Sequence, residues 1–157
     1  MQQFIFEIYE QLKEKLNMFG FSPEDADDEK RNTYVYAWYT TGKVKHYFYI
    51  GKGKGSRYKH ILKEIKSFEE NFRKYKGEKY KILKDEIGIE CEFLYTNLTE
   101  KEAIVLEAYQ IMVKLREKEP LLNVILPVCI EENPDIMKYR NDYFYEKDKA
   151  KFLEYYT

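Results

Sequence analysis

Two short runs, "TYVYAWYTT" from Thr33 and "KHYFYI" from Lys45, constrain this chain more than any other feature. Both are dense in aromatic and β-branched residues, which suit a pleated, half-buried surface. Gly42 stands in the connection between them, so the pattern predicts two antiparallel strands of a hairpin. Where the second strand ends, glycines alternate with lysines in "GKGKGS", and a helical pattern follows from about Ser56. Ile61, Ile65, Phe68, Phe72 and Tyr75 fall on one stripe of that helix, which is expected to break near Gly77. A shorter helix, "EKYKILKDEIG", then stops at Gly88.

"IECEFLY" alternates Ile89, Cys91, Phe93 and Tyr95 against Glu90 and Glu92, the period of a third strand with one buried face. Thr99 and Glu102 form a T-x-x-E capping box at the head of the clearest helix in the chain. Near the N-terminus, Ile5, Ile8, Tyr9, Leu12 and Leu16 recur at helical spacing with Gly20 as a stop, and Ser22-Pro23 suits a further helix start before an acidic stretch. Asn133-Pro134 suggests another helix start in an aromatic, charged tail. The expected fold class is therefore α/β: a small three-stranded antiparallel sheet flanked by helices, in a unit spanning 33–126. Helical extensions are expected at 1–32 and 127–157.

At 157 residues with 44% hydrophobic and 35% charged side chains, one globular domain is expected and extensive disorder is not. The net charge of -1 conceals an uneven distribution, because 43–84 is rich in Lys and Arg whereas 23–30 and 130–135 are acidic. A basic segment of that kind either faces a polyanion or solvates a helix. Cys91 and Cys129 are far apart and belong to no Cys/His cluster, which argues against a disulfide framework or a zinc site and for an intracellular setting, cytoplasm or nucleoid/nucleus. No apolar run approaches membrane-spanning length, so no membrane partner is expected.

Chemistry concentrates in three places. The glycine loop invites a phosphate at a helix N-terminus, although it has neither the Walker A nor the dinucleotide spacing, which leaves a nucleotide-binding enzyme poorly supported. On the helix that follows, Arg57, His60 and Glu64 share one side, Arg57 suited to forking onto a phosphate and His60 to proton transfer near neutrality. Glu107 sits in "AIVLEAYQIMV", a helix apolar on nearly all sides, so its carboxylate must be ion-paired, protonated or bound to a metal.

Taken together, "YVY" at Tyr34–Tyr36, "YIG" at Tyr49–Gly51, Arg57, Glu107 and Asn123 resemble the GIY-YIG nuclease family in order and approximate spacing, over 33–126. The "FYIGKGKGSR" form is similar to the branch with a lysine- and glycine-rich loop, which includes bacterial proteins and the nuclease domain of LEM-domain endonucleases. The first tripeptide reads Tyr-Val-Tyr in place of Gly-Ile-Tyr, and Arg57 follows Tyr49 closely, as in that branch.

The resemblance implies a metal-dependent DNA endonuclease with one active site. Tyr36 takes the place of the base, Tyr49 lies beside it, Arg57 neutralises phosphate charge, and His60 is a competing base or an orienting group. Glu107 would hold one Mg²⁺ or Mn²⁺. The basic run adds Lys52, Lys54 and Lys59 as contacts to DNA phosphates, and Asn123, in the place of the asparagine that closes the domain, is counted with the DNA-contacting groups. Tyr34, Tyr39, Tyr47 and Tyr58 read as packing or DNA-surface groups. One centre cuts one strand, so double-strand cleavage requires a homodimer or a second visit. The alternative is a catalytically inactive nucleic-acid-binding or interaction protein on the same scaffold.

Overall fold

β1 (Thr33–Thr40) runs through the middle of a three-stranded antiparallel sheet, with β2 (His46–Gly53) on one side and β3 (Ile89–Leu98) on the other. The computed structural model describes residues 2–14, 30–71 and 75–157. The hairpin and the third strand stand where the sequence places them, and the sheet is flanked by helices. Successive side chains of a strand point to opposite faces. Val35 and Ala37 accordingly enter one core, and Tyr34, Tyr36 and Trp38 another.

The first core gathers Ile5 and Ile8 from α1 (Gln2–Leu12), then α2 (His60–Asn71) and α3 (Tyr75–Glu86) build the second with Ile61, Ile65, Tyr80 and Leu83. Val105, Leu106 and Leu115 from α4 (Glu100–Arg116) and Ile130 from α5 (Val128–Glu131) complete the first. Tyr143 from α6 (Pro134–Phe144) and Phe152 from α7 (Lys149–Glu154) complete the second. The described parts of the two extensions are thus packed into the same cores as the 33–126 unit. Gly20, Ser22, Pro23, Leu16 and Phe72 lie outside the described residues. Among the described residues no helix is long and apolar enough to cross a membrane.

Three local expectations change. The helix placed from about Ser56 opens as a 3-10 turn, Arg57–Lys59, and becomes α2 only at His60. The expected change of helix near Gly77 falls a little earlier, since α2 ends at Asn71 and α3 begins at Tyr75; Gly77 itself lies inside α3, where a Cβ would overlap the Glu64 carbonyl oxygen and crowd Phe68 Cβ at 2.7 Å. Glycine is what lets α3 approach α2, at a helix-propensity cost of about 1 kcal/mol against Ala. Finally, β3 does not keep one buried face: its pairing with β1 shifts around Val35, so Ile89 and Cys91 pack on the second core but Leu94 and Tyr95 on the first, and Phe93, opposite Tyr36, is 48% exposed.

The capping box at α4 forms as expected. Glu102 N–H donates to Thr99 Oγ1 at 3.1 Å and Thr99 N–H to Glu102 Oε1 at 2.9 Å. Glu102 is completely buried and also accepts from Arg31 Nη1 at 2.7 Å, so one carboxylate ties the entry to β1 to the head of α4. Asn133 caps α6 with Pro134 next to it, accepting from Ile136 N–H at 3.1 Å.

Candidate active site

The pairing of β1 with β2 slips between Trp38 and Tyr39: Trp38 faces Tyr49 and Tyr39 faces Tyr47, leaving Phe48 as the extra residue of a β-bulge. The bulge turns both Phe48 and Tyr49 toward the second core. Tyr49 then lies with its ring 4.7 Å from His60 and 6.2 Å from Tyr36, and the Tyr36 and His60 rings are 6.0 Å apart. Tyr36 Oη and His60 Nδ1 are hydrogen-bonded at 2.8 Å. Side chains from β1, β2 and α2 meet here in one cluster.

The glycines of "GKGKGS" act differently from the phosphate cradle the sequence suggests, and Gly51 and Gly53 belong to β2, which runs on past Ile50. A Cβ on Gly51 would sit 2.6 Å from Tyr36 Oη, so this glycine is the seat of the Tyr36 phenol. A Cβ on Gly53 would sit 2.5 Å from Arg57 Cβ, so that glycine seats the stem of Arg57. Only Gly55, at φ +55 with nothing within 4 Å of a Cβ position, offers open backbone. Tyr34 braces the loop, its hydroxyl donating to Gly55 O at 2.8 Å and accepting from Tyr58 N–H at 3.0 Å.

Electrostatics join Arg57 and Glu107 to the aromatic cluster. Burial raises the Tyr36 pKa above the ordinary phenol value, Tyr49 and Glu107 reinforce this, and Arg57 opposes it. Tyr49 is pushed up to about 12 by burial and by Glu107, again against Arg57. His60 is pushed down to about 4 by burial, then by the charges of Arg57 and Lys76, so its ring is neutral at physiological pH. Glu107 is pushed up to about 7 by burial, more than the charge and backbone amide of Lys52 draw it down. Its carboxyl therefore exchanges a proton near neutrality, which a strongly ion-paired acid would not do.

His60 and Glu107 are perturbed in opposite senses over one pH range, which predicts a sign reversal between variants. The folded His60 pKa of about 4 lies below its reference of 6.5, so its contribution to stability is present above about 6.5 and lost as pH falls toward 4. The folded Glu107 pKa of about 7 lies above its reference of 4.5, so its contribution is present below 4.5 and lost as pH rises toward 7. The two slopes oppose each other across the interval they share. Relative to the unmodified chain, Glu107→Gln should gain stability with rising pH there and His60→Gln should lose it, each by up to about 1.4 kcal/mol per pH unit. Urea unfolding at several pH values measures both slopes, and slopes of the same sign contradict the burial of one group.

The remaining expected site residues divide. Lys52 faces Glu107. Lys54 is exposed and 3.7 Å from Glu100, and Lys59 is exposed with its ammonium 5.8 Å from the Tyr58 ring centre. Asn123, expected among the DNA-contacting groups, is 6% exposed, and both ends of its amide are taken by Ile50: it accepts from Ile50 N–H at 3.1 Å and donates to Ile50 O at 2.7 Å. Arg140 donates to the Asn123 carbonyl at 2.7 Å. Asn123 therefore fastens the tail to the strand beside Tyr49. Among the described residues no three His, Cys, Asp or Glu side chains gather, so a divalent ion at Glu107 would draw most ligands from water and phosphate, as Mg²⁺ commonly does. A carboxyl titrating near neutrality beside Lys52 fits such an ion.

Comparison with protein-family models, with curated proteins and with solved structures found no match for this chain.

Proposed function

We propose that the chain is a metal-dependent DNA endonuclease of GIY-YIG type. The observation that carries this is the convergence of Tyr36, Tyr49 and His60 in one hydrogen-bonded aromatic cluster on which both Arg57 and Glu107 act. They come from β1, β2, the turn into α2, and α4, and the helix and strand propensities of those stretches do not require them to meet.

Hydrolysing a phosphodiester needs charge relief at the phosphate, a proton acceptor for water, and stabilisation of the leaving oxygen. Arg57 cannot lose its proton, so it supplies fixed positive charge to the non-bridging oxygens. The Tyr36–His60 pair takes the water proton. Tyr49 packs against His60 and holds its ring in place. A Mg²⁺ or Mn²⁺ ion held by Glu107 would neutralise charge developing on the leaving oxygen.

The test is incubation with supercoiled, linear, single-stranded and branched DNA in Mg²⁺, Mn²⁺ or EDTA. Nicking that requires the divalent ion is expected, and no cleavage under any of these conditions contradicts the proposal. Binding measured in EDTA should weaken roughly 10- to 100-fold between about 50 and 200 mM salt, as for three or so neutralised phosphates. Lys52, Lys54, Arg57 and Lys59 are the groups responsible. Salt-sensitive binding without cleavage would favour the inactive nucleic-acid-binding reading, and salt-independent binding would remove the phosphate contacts.

A further inference from the structure

A cleft of about 190 Å³ opens beside the proposed active site, lined by Asn32, Thr33, Tyr34, Phe93, Thr96 and Asn97. Two of its walls are unusual. Phe93 is 48% exposed, yet its ring is held upright by two edge-on tyrosines, Tyr34 at 4.7 Å and Tyr58 at 5.2 Å. Thr33 is 2% exposed, and its Oγ1 has no hydrogen-bond partner among the described residues, a condition that buried hydroxyls rarely tolerate. Asn97 stands at φ +57 and its carbonyl accepts from Arg31 Nη1 at 3.4 Å, so the rim is fixed to the Arg31–Glu102 pair.

The cleft and the catalytic loop share a wall. Tyr34 lines the cleft with its ring, while its hydroxyl bonds both Gly55 and Tyr58 in the loop carrying Lys54 and Arg57. The Tyr34 ring also lies 5.8 Å from the Tyr36 ring. We propose that this cleft receives one unstacked nucleobase, belonging to a nucleotide next to the phosphate that Arg57 engages.

Size, surface and charge point to that occupant. The volume is below the roughly 300 Å³ at which whole small-molecule sites begin, so it suits one planar part of a larger ligand whose remainder lies outside. An exposed, rigidly held phenyl ring is a stacking platform for a base. The side-chain amides of Asn32 and Asn97 can donate to and accept from a base edge. An aromatic side chain of a protein partner would also fill the space, but the adjoining Arg57, Lys54 and Lys59 favour a ligand that carries phosphates. The inference rests on the endonuclease reading and specifies its substrate: a strand with a base out of the helix, as in a bulge, a branch or a single strand.

The test uses a hairpin oligonucleotide with 2-aminopurine in a one-base bulge and the same hairpin fully paired, both bound in EDTA so that nothing is cut. Binding of the bulged hairpin should change the 2-aminopurine fluorescence and be tighter than binding of the paired one. Phe93→Ala should weaken the bulged hairpin about tenfold, within the range that base–aromatic stacking supplies, and leave the paired one unchanged. Phe93→Trp should restore binding. Equal losses on both hairpins, or none on the bulged one, overturn the proposal. Cleavage with Mg²⁺ is read separately, so a chain that cuts but ignores the bulge fails here only. A chain that binds the bulge through Phe93 and never cuts leaves this inference standing and sinks the endonuclease.

Discussion

Glu107→Gln should reduce metal-supported DNA cleavage by at least about a thousandfold, since a divalent ion supplies several kcal/mol of charge stabilisation in such reactions. The substitution keeps the size and planarity of the side chain and removes the charge that a cation needs. The fold should survive and become firmer at alkaline pH, because the carboxyl, pushed up to about 7 by burial, is ionised there at a desolvation cost that the amide avoids. DNA binding in EDTA should hold or tighten slightly, as Lys52 loses a neighbouring anion. Cleavage with Mg²⁺ and Mn²⁺, thermal unfolding at pH 8 and binding in EDTA make the three measurements. Full activity in this variant would remove Glu107 from the metal site, and lost binding together with lost activity would point to a folding role instead.

What the sequence revealed and what it hid follow from the range of the interactions involved. Strand periodicity in Thr33–Thr40 and the Thr99–Glu102 cap are local, and both appear in the fold where the pattern puts them. Gly77 reads as a helix breaker because its cost to α3 is local, whereas the reason for it is the Glu64 carbonyl on another helix. The alternation through Tyr95 implies one buried face, but a shift in pairing with β1, set by the partner strand, brings Leu94 and Tyr95 both to the first core while Phe93 stays opposite Tyr36, half exposed. Asn123 fits the order of the family's motif. Its role in bonding both polar groups of Ile50 depends on a contact 73 residues away. The Phe48 bulge, the Arg31–Glu102 pair and the cleft beside Phe93 have no signature in the chain. Motif order, by contrast, singles out Tyr36, Tyr49, Arg57, His60 and Glu107, which the folded chain couples through contacts and charge. What motif order could not give is the direct bond between Tyr36 and His60.

That bond sets the second large effect: Tyr36→Phe and His60→Ala should each slow the chemical step by roughly 10² to 10⁴, and the double variant should be no slower than the slower single one. The family pattern alone assigns the base to Tyr36 and a smaller, orienting part to His60. Burial argues against Tyr36 acting by ionising first, since the residue is 1% exposed and its phenol is held above its ordinary pKa, already about 10 for a free side chain. It can accept a proton from water if its own leaves in the same step. With the imidazole proton on Nε2, the phenol donates to Nδ1 across 2.8 Å, and the ring is neutral above about pH 4, so a lone pair is available at physiological pH. Arg57 is among the charges that hold His60 low. A phosphate bound at Arg57 offsets that charge, so His60 becomes a stronger acceptor when substrate is present. Single-turnover cleavage under saturating enzyme and metal, with DNA binding measured separately, gives the three rates. Losses that multiply in the double variant would show two independent roles, and a nearly normal Tyr36→Phe beside an inactive His60→Ala would make the imidazole the base on its own.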